Sequence, residues 1–138
     1  MYKRQDHVKE NILLIEEWFT HCGVVINTKS EAEFDELMLF SGSGPGYIFY
    51  IAECYYQKMI HLGHNQLTAR KLINQLFLGS SKLMQQSDDD LSTLCRNVTS
   101  KGGVTQAALE YLDKACLPDT ISGSIDNAIS RSKQLARL

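Results

Sequence analysis

Apolar positions recur at three- and four-residue spacing along almost the whole chain, which is the period of helices that bury one face. Val8, Ile12, Ile15 and Phe19, behind Asp6, predict an amphipathic helix over 7–20 that Gly23 stops. The β-branched run VVIN at 24–27 predicts a short strand, one with no ladder partner elsewhere in the sequence. Ser30 and Glu33 form a capping-box pattern ahead of a helix over about 31–39, and SGSGPG at 41–46 then breaks the chain. Pro45 suits the first turn of the next helix, 45–62, because its missing N–H costs nothing there. In that helix Ile48, Ile51, Ala52, Tyr55 and Met59 share a face, while Phe49, Tyr56 and Ile60 carry apolar surface well round the cylinder. A helix apolar on more than one side is deeply buried or shared with a partner.

Gly63 ends this helix and Asn65 caps the next, a long one over 66–86 with Ala69, Leu72, Ile73, Leu76, Ser80, Leu83 and Met84 as its stripe. Gly79 within it lowers helix propensity by about 1 kcal/mol, which predicts a close helix crossing at that point. Ser87 with Asp88, Asp89 and Asp90 caps and charges the start of a shorter helix whose Leu91, Leu94 and Val98 face inward. A helix over 104–114 with Ala107, Ala108 and Leu112 follows TSKGGVT at 99–105. Pro118 and Asp119 open the last helix, 119–136, with Ile121, Ile125, Ala128, Ile129, Ser132 and Leu135 repeating. The expected architecture is an all-α helical bundle preceded by a helix and a strand.

Composition narrows the function classes. In 138 residues with 43% hydrophobic content there is room for one compact domain and a short piece of another. The net charge of −2, with Lys and Arg scattered, gives no footprint for nucleic acid. No apolar run is long enough to cross a membrane and MYKRQDHVKE lacks the apolar stretch of a secretory signal, so a cytoplasmic location is expected. The four cysteines, Cys22, Cys54, Cys95 and Cys116, are far apart and form no metal-ligand pattern, which predicts reduced thiols in or near a core and no metal. His7, His21, His61 and His64 have no Ser or Cys partner at a recognisable spacing, and His61 and His64, flanking Gly63 at a helix end, read as solvated side chains interacting with the helix dipole. Three consecutive aspartates read as a helix start, since an oxygen cage needs carboxylates converging from several directions. Tyr47, Tyr50, Tyr55 and Tyr56 read as core and interface residues.

Two glycine-bearing loops are the candidates for chemistry. A helix start offers N–H groups without intrahelical partners and the positive end of the macrodipole. Ser100-Lys101-Gly102-Gly103-Val104-Thr105 has that setting: the glycines let backbone approach a ligand, their amides with those of Val104 and Thr105 can cradle a carboxylate or phosphate, and the Ser100 and Thr105 hydroxyls stand at the rims. An ordinary interhelical turn with a glycine cap has the same pattern. Ser41-Gly42-Ser43-Gly44-Pro45-Gly46 superficially resembles a dinucleotide fingerprint, but Tyr47 stands where the third glycine is required and a helix precedes it rather than a strand.

Taken together, LFSGSGPGYIFYIAE at 39–53, GHNQLTARKLINQLFLGSSKLM at 63–84, NVTSKGGVTQAALEYL at 97–112 and the closing Ala128-Ile129-Ser130-Arg131-Ser132 resemble pyrroline-5-carboxylate reductases in order and separation. The resemblance runs from about residue 7 onward. It implies a helical domain that interlocks with its twin as a homodimer, following a Rossmann domain that binds NADPH or NADH. It further implies reduction of 1-pyrroline-5-carboxylate to proline by hydride transfer to the C=N carbon. On that likeness, residues 1–40 correspond to the end of the nucleotide-binding domain and its connecting helix, and 41–138 to the dimerisation and substrate-binding domain. The substrate carboxylate falls to the amides around Ser100, Gly102, Gly103, Val104 and Thr105, with the Thr105 hydroxyl facing the ring nitrogen as the catalytic contact. Ser41, Gly42, Ser43, Gly44 and Pro45 would lie near the nicotinamide, and Asp88 matches an acidic position that supports the threonine in some relatives. Lys101 stands where proline is usual, Val104 where a small residue or threonine is usual, and Gly46 where alanine is usual; a branched Val104 would narrow the pocket.

The phosphate-binding glycine loop of such a Rossmann domain has no counterpart in these residues, so no cofactor is expected on this chain alone and reductase activity is expected to be absent. The abrupt start of the helical signal after residue 5 and the orphan strand fit a truncated reductase. The alternatives are a stand-alone helical dimerisation module that binds small carboxylates without catalysis, or a helical half that serves a separate nucleotide-binding chain.

Overall fold

A computed structural model describes residues 3–136, with side chains from residue 11 onward. Seven helices account for nearly all of it: α1 (Lys3–Thr20), α2 (Glu31–Ser41), α3 (Gly44–His61), α4 (Gln66–Gln86), α5 (Leu91–Asn97), α6 (Val104–Lys114) and α7 (Leu117–Leu135). The fold is all-α. The chain forms two compact units, Met1–Asp35 and Glu36–Leu138.

In the first unit α1 begins at Lys3, ahead of Asp6, so Asp6 is not its cap; the side chains of Asp6, His7 and Val8 lie outside the described residues. After α1 the chain turns through Cys22 and Gly23, whose amides donate to the Phe19 carbonyl at 2.9 and 3.2 Å. The expected strand at 24–27 does not form: residues 24–28 carry no regular structure. Ladder hydrogen bonds need a second strand, and none exists among the described residues. Ser30 accepts the Glu33 amide at 3.2 Å, and the Glu33 carboxylate reaches back to the Lys29 amide, so the expected capping box forms with its return arm one residue further upstream.

The second unit is built on two packed helix pairs, α3 on α4 and α6 on α7. In the first pair Ala69 and Ile73 of α4 are buried, and Tyr55 meets Phe77 edge to face at a centroid distance of 6.3 Å. The two helices flank an open concavity of about 310 Å³ lined by Phe49, Glu53, Tyr56, Arg70, Ile73 and Asn74. Asn65 caps α4 by accepting the Thr68 amide at 2.9 Å, and Asp90, not Ser87 or Asp88, caps α5 by accepting the Thr93 amide at 2.7 Å. Ser87 instead ends α4, and its hydroxyl accepts the Asp89 amide at 3.1 Å.

Much apolar surface has no cover among the described residues. Leu72, Leu76, Leu83 and Met84 of α4 are 44–51% exposed, and Phe49 and Tyr50 of α3 are 70% and 74% exposed. The stripe read from the sequence therefore divides: Ala69 and Ile73 face α3, and the leucines beside them face outward. For the same reason the four cysteines are all exposed rather than near a core. Gly79 meets no atom within 4 Å of the place a Cβ would take, so no close helix crossing occurs there among the described residues. His21, His61 and His64 are exposed. No described helix is long and apolar enough to cross a membrane, and no group of three or more His, Cys, Asp or Glu among the described residues could hold a metal ion.

Candidate anion-binding site

The start of α6 combines free backbone donors with a loop that excludes side chains. After α5, the Thr99 amide donates to the Arg96 carbonyl at 2.9 Å and its hydroxyl to the Cys95 carbonyl at 2.7 Å, fixing the chain as it enters the loop. Gly102 then adopts φ +71°, a left-handed conformation that costs a Cβ-bearing residue about 1–2 kcal/mol. Gly103 is the N-cap, with an extended backbone that any residue can adopt. Its requirement is space: a Cβ there would run into the Ser100 hydroxyl and stand 3.0 Å from the Ser100 carbonyl oxygen. The two glycines are thus needed for different reasons, one conformational and one steric.

Backbone donors in the loop can be followed one by one. The Gly103 amide donates to the Ser100 carbonyl at 2.9 Å, closing the turn, and the Gly102 amide donates to Gln106 Oε1 at 2.8 Å. The first intrahelical bond runs from the Ala107 amide to the Gly103 carbonyl at 3.2 Å. The amides of Val104, Thr105 and Gln106 fall in the first turn, where helix geometry supplies no acceptor, and the N-cap has no side chain to give one. So of the four amides singled out in the sequence, Gly102 and Gly103 are engaged in building the loop, and Val104 and Thr105 point out of the helix end. Thr105 is half-buried and Val104 is 89% exposed. Lys101 is exposed beside them and supplies positive charge. This arrangement suits a small anion met by backbone donors at the positive end of a helix.

Sequence reasoning missed Gln106 and Glu110. Gln106 Nε2 donates to Glu110 Oε1 at 2.7 Å, so the carboxamide bridges the loop and the body of α6. The available signal, a polar pair four residues apart, is that of any solvated helix face.

The other glycine loop has a different character. Ser41 is the last residue of α2, its hydroxyl donating to the Leu37 carbonyl at 3.1 Å, and Gly44 is the first of α3 with Pro45 in the first turn. The amides of Gly42 and Ser43 both donate to the Met38 carbonyl, at 2.8 and 3.3 Å, and that of Gly46 to the Ser43 carbonyl at 2.9 Å. These donors are consumed in linking two helices, and the segment does not fit the pyrophosphate of a dinucleotide, which needs them free. It opens a helix of the α3–α4 pair, whereas Ser100 to Thr105 open a helix of the α6–α7 pair. Asp88, between α4 and α5, is exposed.

Residues 31–135 match the family model described as pyrroline-5-carboxylate reductase dimerisation. A pyrroline-5-carboxylate reductase of Staphylococcus epidermidis is 31% identical over 122 residues, covering 88% of this chain and 45% of that protein. The enzyme of Pasteurella multocida is 35% identical over 109 residues, covering 78% and 40%. Among solved structures, a pyrroline-5-carboxylate reductase from Coxiella burnetii superposes with a TM-score of 0.86 at 31% identity, over 92% of this chain and 47% of that one. A pyrroline carboxylate reductase of Plasmodium falciparum with NADP bound gives 0.81 at 25% identity, over 91% and 47%. The chain spans a little under half the length of these relatives.

Proposed function

Since the chain belongs to the pyrroline-5-carboxylate reductase dimerisation family, we propose that it is the homodimer-forming, substrate-binding part of such a reductase, acting on 1-pyrroline-5-carboxylate to give proline. The observation that carries the site assignment is the open end of α6. The Val104 and Thr105 amides are the donors for the substrate carboxylate, Gly102 and Gly103 shape the loop beneath them, and Ser100 fills the space under Gly103. The Thr105 hydroxyl, half-buried at the same helix end, is the contact to the ring nitrogen and the catalytic residue. Backbone amides held in a fixed loop orient the acid with little reorganisation when it binds.

The reducing cofactor belongs to the complete enzyme, with NADPH or NADH as its hydride source. The described residues offer no fit for its phosphates, and Ser41 to Pro45 serve beside its nicotinamide end at most. Taken alone, the chain is a binding and assembly unit without turnover. The half-exposed Leu72, Leu76, Leu83 and Met84 are the surface a second copy covers, since burying the remaining half of each such side chain stabilises an interface by about 1 kcal/mol. Cytoplasmic proline synthesis is its setting.

Sedimentation of the purified chain, with calorimetry against L-proline, tests this reading. A dimer that Leu76→Asp converts to monomer is expected, together with L-proline binding that Thr105→Ala weakens. NADPH-dependent proline formation by the 138 residues alone would overturn the absence of turnover. A monomeric wild type, or affinity unchanged in Thr105→Ala, would overturn the assembly or the site respectively. Binding without any complementation by a nucleotide-binding domain would leave the chain a stand-alone carboxylate-binding module.

A further inference from the structure

We propose that Gln106, oriented by Glu110, is a positioning residue for the carboxylate site: it holds Gly102 in its left-handed turn and so aims the Val104 and Thr105 amides at the ligand. The inference rests on the carboxylate reading of the α6 terminus and adds the residues that keep that terminus in shape.

A helix that must present its first amides to a ligand cannot be capped in the usual way, because a capping side chain would occupy the position of the anion. The start of α2 shows the ordinary arrangement. Ser30 accepts the Glu33 amide from the N-cap, and Glu33, the third helical residue, reaches back to the amide of Lys29. At α6 the first of these arms is missing, since Gly103 has no side chain and the Ser100 hydroxyl excludes one. The second arm remains. Gln106 is the third helical residue and takes the Gly102 amide at 2.8 Å, the equivalent reach-back to the residue before the N-cap. The loop is therefore tied from the side while the end of the helix stays open.

The carboxamide is held in one orientation by the chemistry at both of its ends. A backbone N–H only donates, so Gly102 requires the oxygen, and an ionised carboxylate only accepts, so Glu110 requires the nitrogen, which it meets at 2.7 Å. Removing the acceptor at Glu110, or replacing it by a donor, takes away what keeps Oε1 facing Gly102. Gly102 is the residue that most needs such a tether, because its φ of +71° is one of several basins open to glycine.

The test compares Gln106→Leu, Glu110→Gln and Glu110→Lys in the full chain, reading L-proline affinity by calorimetry and exchange of the Gly102 amide by NMR. Of the two positions changed, Gln106 is half-buried and Glu110 is exposed. Gln106→Leu should lose Gly102 protection and bind L-proline about three- to tenfold more weakly, the effect of one net hydrogen bond. Glu110→Gln keeps an acceptor for Nε2 and should behave as wild type, while Glu110→Lys should resemble Gln106→Leu. A role confined to helix stability would not separate the two Glu110 variants in affinity. Wild-type affinity in Gln106→Leu, or equal affinity in Glu110→Gln and Glu110→Lys, overturns the positioning role. If the wild-type chain binds no L-proline, the carboxylate reading itself fails, and the Gly102 exchange data then report on the loop alone.

Discussion

Gly103→Ala should destabilise the protein mainly through crowding against Ser100, and a second substitution should repair part of the damage. The backbone at 103, φ −82° and ψ 173°, is open to any residue, so the cost is not conformational. An added Cβ runs into Ser100 Oγ, stands 3.0 Å from the Ser100 carbonyl oxygen and lies 3.5 Å from Ser100 Cβ. The hydroxyl can rotate away at about 0.5–1.5 kcal/mol if it leaves its rotamer. The carbonyl, held by the Gly103 amide at 2.9 Å, retreats only by weakening a bond worth about 1 kcal/mol. Alanine in place of glycine at an N-cap adds several tenths more, for a total of about 2–3 kcal/mol. Ser100→Ala removes the hydroxyl and leaves an ordinary contact at 3.5 Å with the tight carbonyl approach, so the double variant should recover about 1 kcal/mol. Gly102→Ala is the control, costing about 1–2 kcal/mol from its left-handed backbone with no atom within 4 Å, and Ser100→Ala should not repair it. Urea unfolding followed by far-ultraviolet circular dichroism at one fixed protein concentration measures these terms without a shift from association. Additivity of Gly103→Ala and Ser100→Ala to within about 0.5 kcal/mol would refute the steric account.

Two further outcomes follow from local geometry. Cys116 joins α6 to α7 at φ 53°, the one non-glycine residue with positive φ among the described residues; Cys116→Gly should raise stability by about 0.5–1 kcal/mol in the same urea assay. The Asp90 carboxyl is held below its usual range, first by the Thr93 amide and then by the Ser92 hydroxyl. A depressed folded-state pKa means that this capping contribution is complete above the unfolded value of about 3.9 and lost as pH falls through the lower folded value. The Thr93 amide resonance should therefore titrate in that acid range, and Asp90→Asn should abolish the titration.

The parts of the fold legible in the sequence are those decided locally. Asn65 followed by the apolar period of 66–86, and Gly63 before it, fix α4 because a cap, a stripe and a breaker agree, and α4 spans Gln66–Gln86. The start of α5 was harder, since Ser87, Asp88, Asp89 and Asp90 can all cap a helix; Asp90 takes the role because Ser87 closes α4. The strand at 24–27 was expected from β-branched residues alone, yet a strand exists only through its neighbours. Exposure of Cys54, Leu72 and Leu76 depends on how many layers the chain can stack, which periodicity does not encode. In the α6 loop the residue types Gly102 and Gly103 were legible, but not which amides stay free, because that depends on Gln106 reaching back across the turn.

The central claim, that Val104 and Thr105 at the start of α6 grip a small amino acid carboxylate, is tested most directly by titrating the ¹⁵N-labelled chain with L-proline. Saturable shifts should be largest at the Val104 and Thr105 amides and smaller at Gly102 and Gly103, whose donors are engaged within the loop. Shifts centred on residues 41–46, or none at saturating L-proline, would contradict it.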